Sequence, residues 1–297
     1  MPALDDFAAQ VRADGPVTIA GHSTRGGPVA GVRCVAAPSG IDWIQADEMT
    51  LCCGAGTPVD EVSAALAAVG QRLALPAGGT VGGALAVGRS GIRRLGDGPA
   101  RDTLLQARYV SAGGEVVKAG GPTVKNVSGF DLCRLLVGSH GTLGFLGEVI
   151  LRTKPLPLHS QWFTAACADP SEAFRRLYRP VSVLFDGAYV WALLEGHPAD
   201  VAAQAAAAGL AECAGPPSLG SKQRRVLEPS VAAAFMRSAA PGSYVAELGL
   251  GVMHLAHDSA APCPQPTAPS SGALAVSSRM KQQFDPAGRL NPGVVVG

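Results

Sequence analysis

Charge is scarce in this chain. Only 16% of its 297 residues are Asp, Glu, Lys or Arg, and they balance to a net charge of +1. That balance argues against a nucleic-acid surface or a polybasic membrane patch, but leaves room for one anionic ligand held by local donors. Cys-x-x-Cys is absent, which argues against a zinc ribbon or a ferredoxin-type cluster. The seven cysteines, at 34, 52, 53, 133, 167, 213 and 263, therefore read as small buried hydrophobes. Their odd number and the lack of a signal peptide point to a reducing cytoplasm. No uncharged run is apolar enough to span a bilayer. Ser259–Ser278 carries no charge, but Pro262, Pro264, Pro266 and Pro269 make it a linker or loop. There is no Gly-x-x-x-x-Gly-Lys-[Ser/Thr], so no P-loop, and no Gly-x-Gly-x-x-Gly joining a first strand to a helix, so no Rossmann NAD site. Internal repeats are lacking too.

Apolar residues and glycine are plentiful. The apolar content of 47% predicts a globular chain of one large or two modest domains. Periodicity predicts a helix over 2–13, strands over 17–20 and 31–36, a hairpin over 41–53, a helix over 59–69 and a second hairpin over 103–118. A short helix over 132–137, with Asp131 as its cap, and a strand over 145–153 follow. Beyond the break at Lys154-Pro155-Leu156-Pro157 the order is strand 161–166, helix 170–178, strands 181–185 and 189–195, helix 198–208 and strand 211–214. That β-α-β-β-α-β order is the signature of a ferredoxin-like unit. A helix over 223–237 interrupted at Pro229, a strand over 244–255 and a short helix over 279–284 complete the reading.

Glycine is concentrated where a ligand would need it. Strand 17–20 runs into Gly21-His22-Ser23-Thr24-Arg25-Gly26-Gly27, a loop that reads either as a set of main-chain donors for a pyrophosphate or as an ordinary surface turn. Gly78, Gly79, Gly82, Gly83, Gly88 and Gly91 crowd a second stretch, with Thr80 and Ser90 as extra donors. A third runs from Lys125-Asn126-Val127-Ser128-Gly129-Phe130-Asp131 to Gly138-Ser139-His140-Gly141-Thr142-Leu143-Gly144. Glycine lets backbone approach a ligand closely. The repetition suggests a long phosphate-bearing cofactor threaded through backbone loops. Arg93-Arg94 reads as a carboxylate or partner site, or as a solvated loop. Lys222-Gln223-Arg224-Arg225 reads as a solvated face. His254 and His257, at i, i+3 on a strand end, do not converge as they would on a helix, and no metal site is expected.

In their order and spacing these segments resemble the FAD-binding family named for vanillyl-alcohol oxidase and p-cresol methylhydroxylase. The likeness includes Ala55-Gly56-Thr57-Pro58, Ser90-Gly91-Ile92-Arg93-Arg94, Arg101-Asp102 and the tail Lys281-Gln282-Gln283-Phe284-Asp285-Pro286 to Asn291-Pro292-Gly293. Within the family they look most like the E-subunit group of bacterial glycolate oxidases. The resemblance implies an α+β fold: a p-cresol methylhydroxylase-type FAD-binding domain of two α+β subdomains over 1–155, and a small ferredoxin-like cap over 156–257. A Pro-rich linker (258–278) and a segment returning to the FAD domain (279–297) would follow. It implies FAD contacts from Gly21, His22, Ser23, Thr24, Arg25, Thr80, Val81, Gly82, Gly83, Ser90, Gly91, Lys125, Asn126, Gly141, Leu143, Gly144, Val149 and Asn291. His22 sits where some relatives bond flavin covalently, though a main-chain donor or a solvent-facing ring is the default. The implied activity is hydride transfer from C2 of a 2-hydroxy acid, glycolate or D-lactate, to flavin N5. A paralogous flavin subunit and an iron–sulfur subunit would be partners, in the cytoplasm or peripheral at the inner membrane through a partner. The alternative is a non-catalytic flavin-binding or scaffolding subunit. No catalytic base is identifiable in the sequence.

Overall fold

A computed structural model describes residues 2–122, 131–219, 223–255 and 270–294. The chain forms two compact units. The first holds the chain up to residue 91, residues 99–156 and the segment from 269; the second holds 92–98 and 157–268.

The first unit opens with α1 (Pro2–Arg12), followed by β1 (Val17–Ala20), β2 (Arg33–Ala36), β3 (Ile41–Gln45), β4 (Thr50–Gly54), α2 (Val59–Ala67), β5 (Gln71–Leu73) and α3 (Val81–Val87). After α4 (Arg94–Asp97), which belongs to the second unit, it resumes with β6 (Leu104–Val110), β7 (Val116–Gly120), α5 (Leu132–Leu136) and β8 (Phe145–Pro155). β1 and β2 pair in parallel, and a second sheet runs β3-β4-β8-β6-β7 with β5 on the far end of β8. Two apolar clusters hold the unit. In α1, Leu4, Phe7, Ala8 and Val11 follow helical spacing and are buried with Val17, Val35, Val110, Phe145 and Leu290. In α2, Val59, Val62 and Leu66 share one face, which packs with Val81, Ala84 and Leu85 of α3 and with the strand residues Leu51, Val149 and Leu151. Each Val, Leu or Phe side chain among them, once buried, stabilises the fold by about 1.5–3 kcal/mol. Cys52, Cys53 and Cys133 belong to these interiors, and burial pushes their thiols up to about 12, 12 and 11; Cys34 is exposed.

The second unit contains β9 (His159–Ala166), α6 (Pro170–Arg175), β10 (Ser182–Phe185), β11 (Tyr189–Gly196), α7 (Pro198–Ala208), β12 (Ala211–Cys213), β13 (Gln223–Val226), α8 (Pro229–Ser238), β14 (Tyr244–Glu247) and β15 (Val252–Leu255). Its antiparallel sheet runs β12-β9-β11-β10-β14-β15-β13. The first four positions are the ferredoxin-like arrangement of a β-α-β-β-α-β chain, as predicted. The rest departs from expectation. Residues 223–226 form a strand because they pair with β15, and the helix begins only at Pro229, which suits its first turn. The strand expected over 244–255 is a hairpin, turned by Gly249 and Gly251 at φ 80° and 65°. Finally α9 (Ser271–Phe284) starts eight residues before the expected 279, capped by Ser270. No helix among the described residues is long and apolar enough to cross a membrane.

Candidate functional site

β1 delivers the chain to the loop 21–27, and this loop forms one wall of a cavity of about 270 Å³ within the first unit. Thr80, Gly82 and Gly83 line a second wall, Ser139, His140, Gly141 and Gly144 a third, and Asn291 closes it from the tail. Gly21, His22, Ser23, Thr24, Arg25, Thr80, Gly82, Gly83, Gly141, Gly144 and Asn291, all expected from the sequence, thus meet at one cavity. Val81, Leu143 and Val149 do not line it; they are buried in the core cluster around α2. Ser90 is turned to the protein, its Oγ accepting from Ala100 N at 3.0 Å, and Gly91 lies outside the lining. Lys125 and Asn126 lie outside the described residues.

The helix α3 was not foreseen, since Gly82 and Gly83 suggest a loop. It forms because Thr80 Oγ1 caps it, accepting from Gly83 N at 3.1 Å. Val81 N donates to Thr57 O and Gly82 N to Ala55 O, so these amides are engaged inside the protein. The amides of His22, Ser23 and Thr80 have no hydrogen-bond partner among the described residues. With the hydroxyls of Ser23 and Thr24 they form a donor set at the cavity wall, and among the described residues no carboxylate lines it. Such a set suits an anion.

Asn291 is built into its place. Its Oδ1 accepts from Thr18 Oγ1 at 2.8 Å and Ile19 N at 3.3 Å, and its Nδ2 donates to His140 O at 2.7 Å. Only glycine suits position 141: its φ is 69°, and a Cβ there would lie 2.7 Å from Asn291 Nδ2. The sequence reading missed Ala55, Gly56, Ser139, His140 and the apolar wall of Val29, Ala37, Leu136 and Leu146. His140 was visible as part of a glycine-rich run; the apolar residues carry no local signal.

Outside the cavity, Arg93 is paired with Asp97 at 3.1 Å and Glu195 at 2.5 Å, which corrects the reading of it as part of a solvated loop. In the second unit His254 Nε2 lies 2.8 Å from Glu247 Oε1, both side chains buried. His257 lies outside the described residues.

Residues 11–120 match the FAD binding domain family. The chain is also 34% identical over 219 residues to glycolate oxidase subunit GlcE of Escherichia coli (strain K12), covering 67% of this chain and 61% of that protein. The 11–120 segment thus belongs to the FAD binding domain family. D-lactate dehydrogenase of Archaeoglobus fulgidus is 36% identical over 115 residues, covering 38% of this chain and 26% of its own length. The chain thus spans less than two thirds of either relative. Among solved structures, alkyldihydroxyacetonephosphate synthase superposes with a TM-score of 0.71 at 13% identity, covering 99% of this chain and 75% of that one. At that identity the likeness speaks for the fold.

The family's cofactor is FAD, and the residues present fit it. The unpaired amides of His22, Ser23 and Thr80 suit a pyrophosphate, and the wall of Val29, Ala37, Leu136 and Leu146 suits an aromatic ring system. The cavity is slightly below the roughly 300–1,000 Å³ usual for ligand sites. It would therefore enclose only part of a ligand as long as FAD.

Proposed function

We propose that the chain is the FAD-binding subunit of a flavin-dependent 2-hydroxy-acid dehydrogenase or oxidase, with glycolate or D-lactate as substrate. The observation that carries this is the convergence of the 21–25 loop, Thr80 and Asn291 on one cavity that no carboxylate among the described residues lines, inside the domain that matches the FAD family. FAD, when bound, supplies the hydride acceptor, N5, for the substrate's C2 hydrogen. The chain's own residues do the binding. His22 and Ser23 would offer main-chain N–H groups to the pyrophosphate from one side and Thr80 from another. Asn291 would hold the His140–Gly141 turn against β1, fixing the third wall. Val29, Ala37, Leu136 and Leu146 would exclude water from the apolar part of the cavity. Val81, Leu143 and Val149 would support these walls from the core, while Lys125 and Asn126 would add polar contacts from 123–130.

The printed name of the Escherichia coli relative, a subunit, supports assembly with other chains. We place a paralogous flavin subunit and an iron–sulfur subunit among them, in the cytoplasm or at the inner membrane through a partner. The same name favours a second reading, a flavin-holding or scaffolding subunit beside a catalytic paralogue. Purification and anaerobic titration separate these. A yellow protein bleached by glycolate or D-lactate supports the first. A yellow protein that stays oxidised supports the second. Colourless protein that takes up no added FAD refutes the first reading and the flavin-holding form of the second, leaving a scaffold alone.

A further inference from the structure

Arg25 is the only cation in the 21–27 loop, and an arginine beside a pyrophosphate site invites the role of direct phosphate ligand. Its side chain is engaged elsewhere. Nη1 donates to Gly78 O at 2.7 Å, and Nη2 donates to Pro76 O at 2.8 Å and Ala77 O at 2.7 Å. Three consecutive carbonyls thus converge on one guanidinium, a task for which its fixed fork of donors is suited and a single ammonium is not. From the other side, Gly78 N donates to Asp60 Oδ1 at 3.0 Å, and Asp60 sits in the first turn of α2. The segment 76–78 is therefore gripped between a cation on its carbonyls and a carboxylate on an amide. The two loops approach so closely that a Cβ on Gly79, itself at φ 69°, would lie 2.3 Å from Thr24 Oγ1 and 2.6 Å from Arg25 Nη1.

Resting on the FAD reading above, we propose that Arg25 is a positioning residue: with Asp60 it braces the 76–78 segment and thereby sets Thr80, whose N–H and hydroxyl end the cavity wall, and does not itself ligate the cofactor's phosphates. The physical argument is about sign. A carbonyl turned into an anion site repels the ligand; gathering three of them on a guanidinium keeps their negative ends away from it. Thr80 follows the gripped segment by two residues, and its Oγ1 caps α3, so its position is inherited from the brace.

The experiment is FAD titration of the full-length apoprotein, followed by flavin fluorescence, with amide hydrogen exchange over 76–83 in the absence of FAD. Arg25→Lys keeps the charge but gathers its donors on one nitrogen and cannot reproduce the spread of Nη1 and Nη2 over the three carbonyls; it is expected to bind FAD about tenfold more weakly or worse, with Arg25→Ala no better than a few-fold below it. Both are expected to speed exchange at 78–80 before any cofactor is added, a change that loss of a phosphate contact would not produce. Asp60 gives the opposing test. Asp60→Ala removes a negative charge; if charge alone mattered FAD would bind more tightly, whereas the brace predicts weaker binding, and Asp60→Asn, which keeps an oxygen acceptor, restores most of it. Near-native affinity in Arg25→Lys with unchanged exchange, or tighter binding in Asp60→Ala, overturns the proposal. Should an Arg25 variant fail to fold, the Asp60 pair decides. Failure of the unsubstituted protein to bind FAD would instead refute the functional reading on which the proposal rests.

Discussion

His140 combines a positive φ of 52° with a ring on the cavity wall, and burial, then the neighbouring charge of Arg89, lowers its pKa from 6.5. A histidine whose pKa falls on folding binds fewer protons folded than unfolded. Its contribution is fully present above 6.5 and is lost as pH falls through the folded value. The thermal midpoint is therefore expected to drop as pH falls below 6.5, and His140→Gln to flatten part of that slope; parallel melts of the two proteins check it. Glu247 makes a different case. Its Oε1 is paired with His254, while its buried Oε2 has no hydrogen-bond partner among the described residues. Removing one member of such a pair strands the other, so Glu247→Ala is expected to destabilise by about 3–5 kcal/mol. A double-mutant cycle with His254→Ala in denaturant melts reads the coupling, and additive losses would show the pair to be energetically idle.

Among elements, α3 carries the sharpest conflict between local preference and packing. Alanine favours a helix over glycine by about 1 kcal/mol, so Gly82→Ala looks stabilising in isolation. A Cβ at 82, however, would lie 2.9 Å from both the Cβ and the carbonyl oxygen of Ala55, to which Gly82 N donates at 2.7 Å. Backbone cannot yield there, and overpacking of that kind costs about 1–3 kcal/mol. The clash wins, and Gly82→Ala is expected to lower the denaturant midpoint and weaken FAD binding together. This helix also shows what the sequence hides. Gly82 and Gly83 carry a loop's composition, and only Thr80's cap and Ala55's surface make them helical. The strand β13 was hidden for a related reason: Gln223–Val226 has no alternating pattern and is extended because β15 pairs with it. Where local and tertiary preferences agree, the reading held. The helix α7 has Pro198 at its start and Gly209 in the left-handed conformation at its end, and its bounds were legible from the sequence. The ferredoxin-like order was legible because each element is short, amphipathic and punctuated. Of the cavity, the glycine and hydroxyl loops were legible and the apolar wall was not, because Val29, Ala37, Leu136 and Leu146 look like any core residues until the chain brings them together.

At the scale of the whole molecule, the first unit is closed by chain that arrives last. Residues from 269 onward return to it after the second unit has intervened. The tail is then locked by side chains. Arg289 donates to the carbonyls of Val11, Ala13, Gly15 and Ala112. Asp285, only 2% exposed, accepts from the amides of Arg289 and Leu290 and from Lys281 Nζ. Leu290 is fully buried in the cluster around α1, where it bridges to Val17, the first residue of β1. A chain ending at Phe284 loses about 1.5–3 kcal/mol from Leu290 alone. It also loses some 0.5–1.5 kcal/mol for each tail hydrogen bond, and the buried acceptors left behind lose their donors. Set against a total of about 5–15 kcal/mol for a typical domain, that sum brings the first unit to the edge of unfolding. The truncated protein is expected to take up no FAD and to be cut by protease throughout 1–91 and 99–156. Arg289→Lys, which keeps the charge and the whole tail, is expected to lose only part of its thermal stability and to retain FAD. If the truncated chain bound FAD as the full chain does, the tail would be an ornament on a finished domain, and the role given to Asn291 in holding the His140 turn would fall with it.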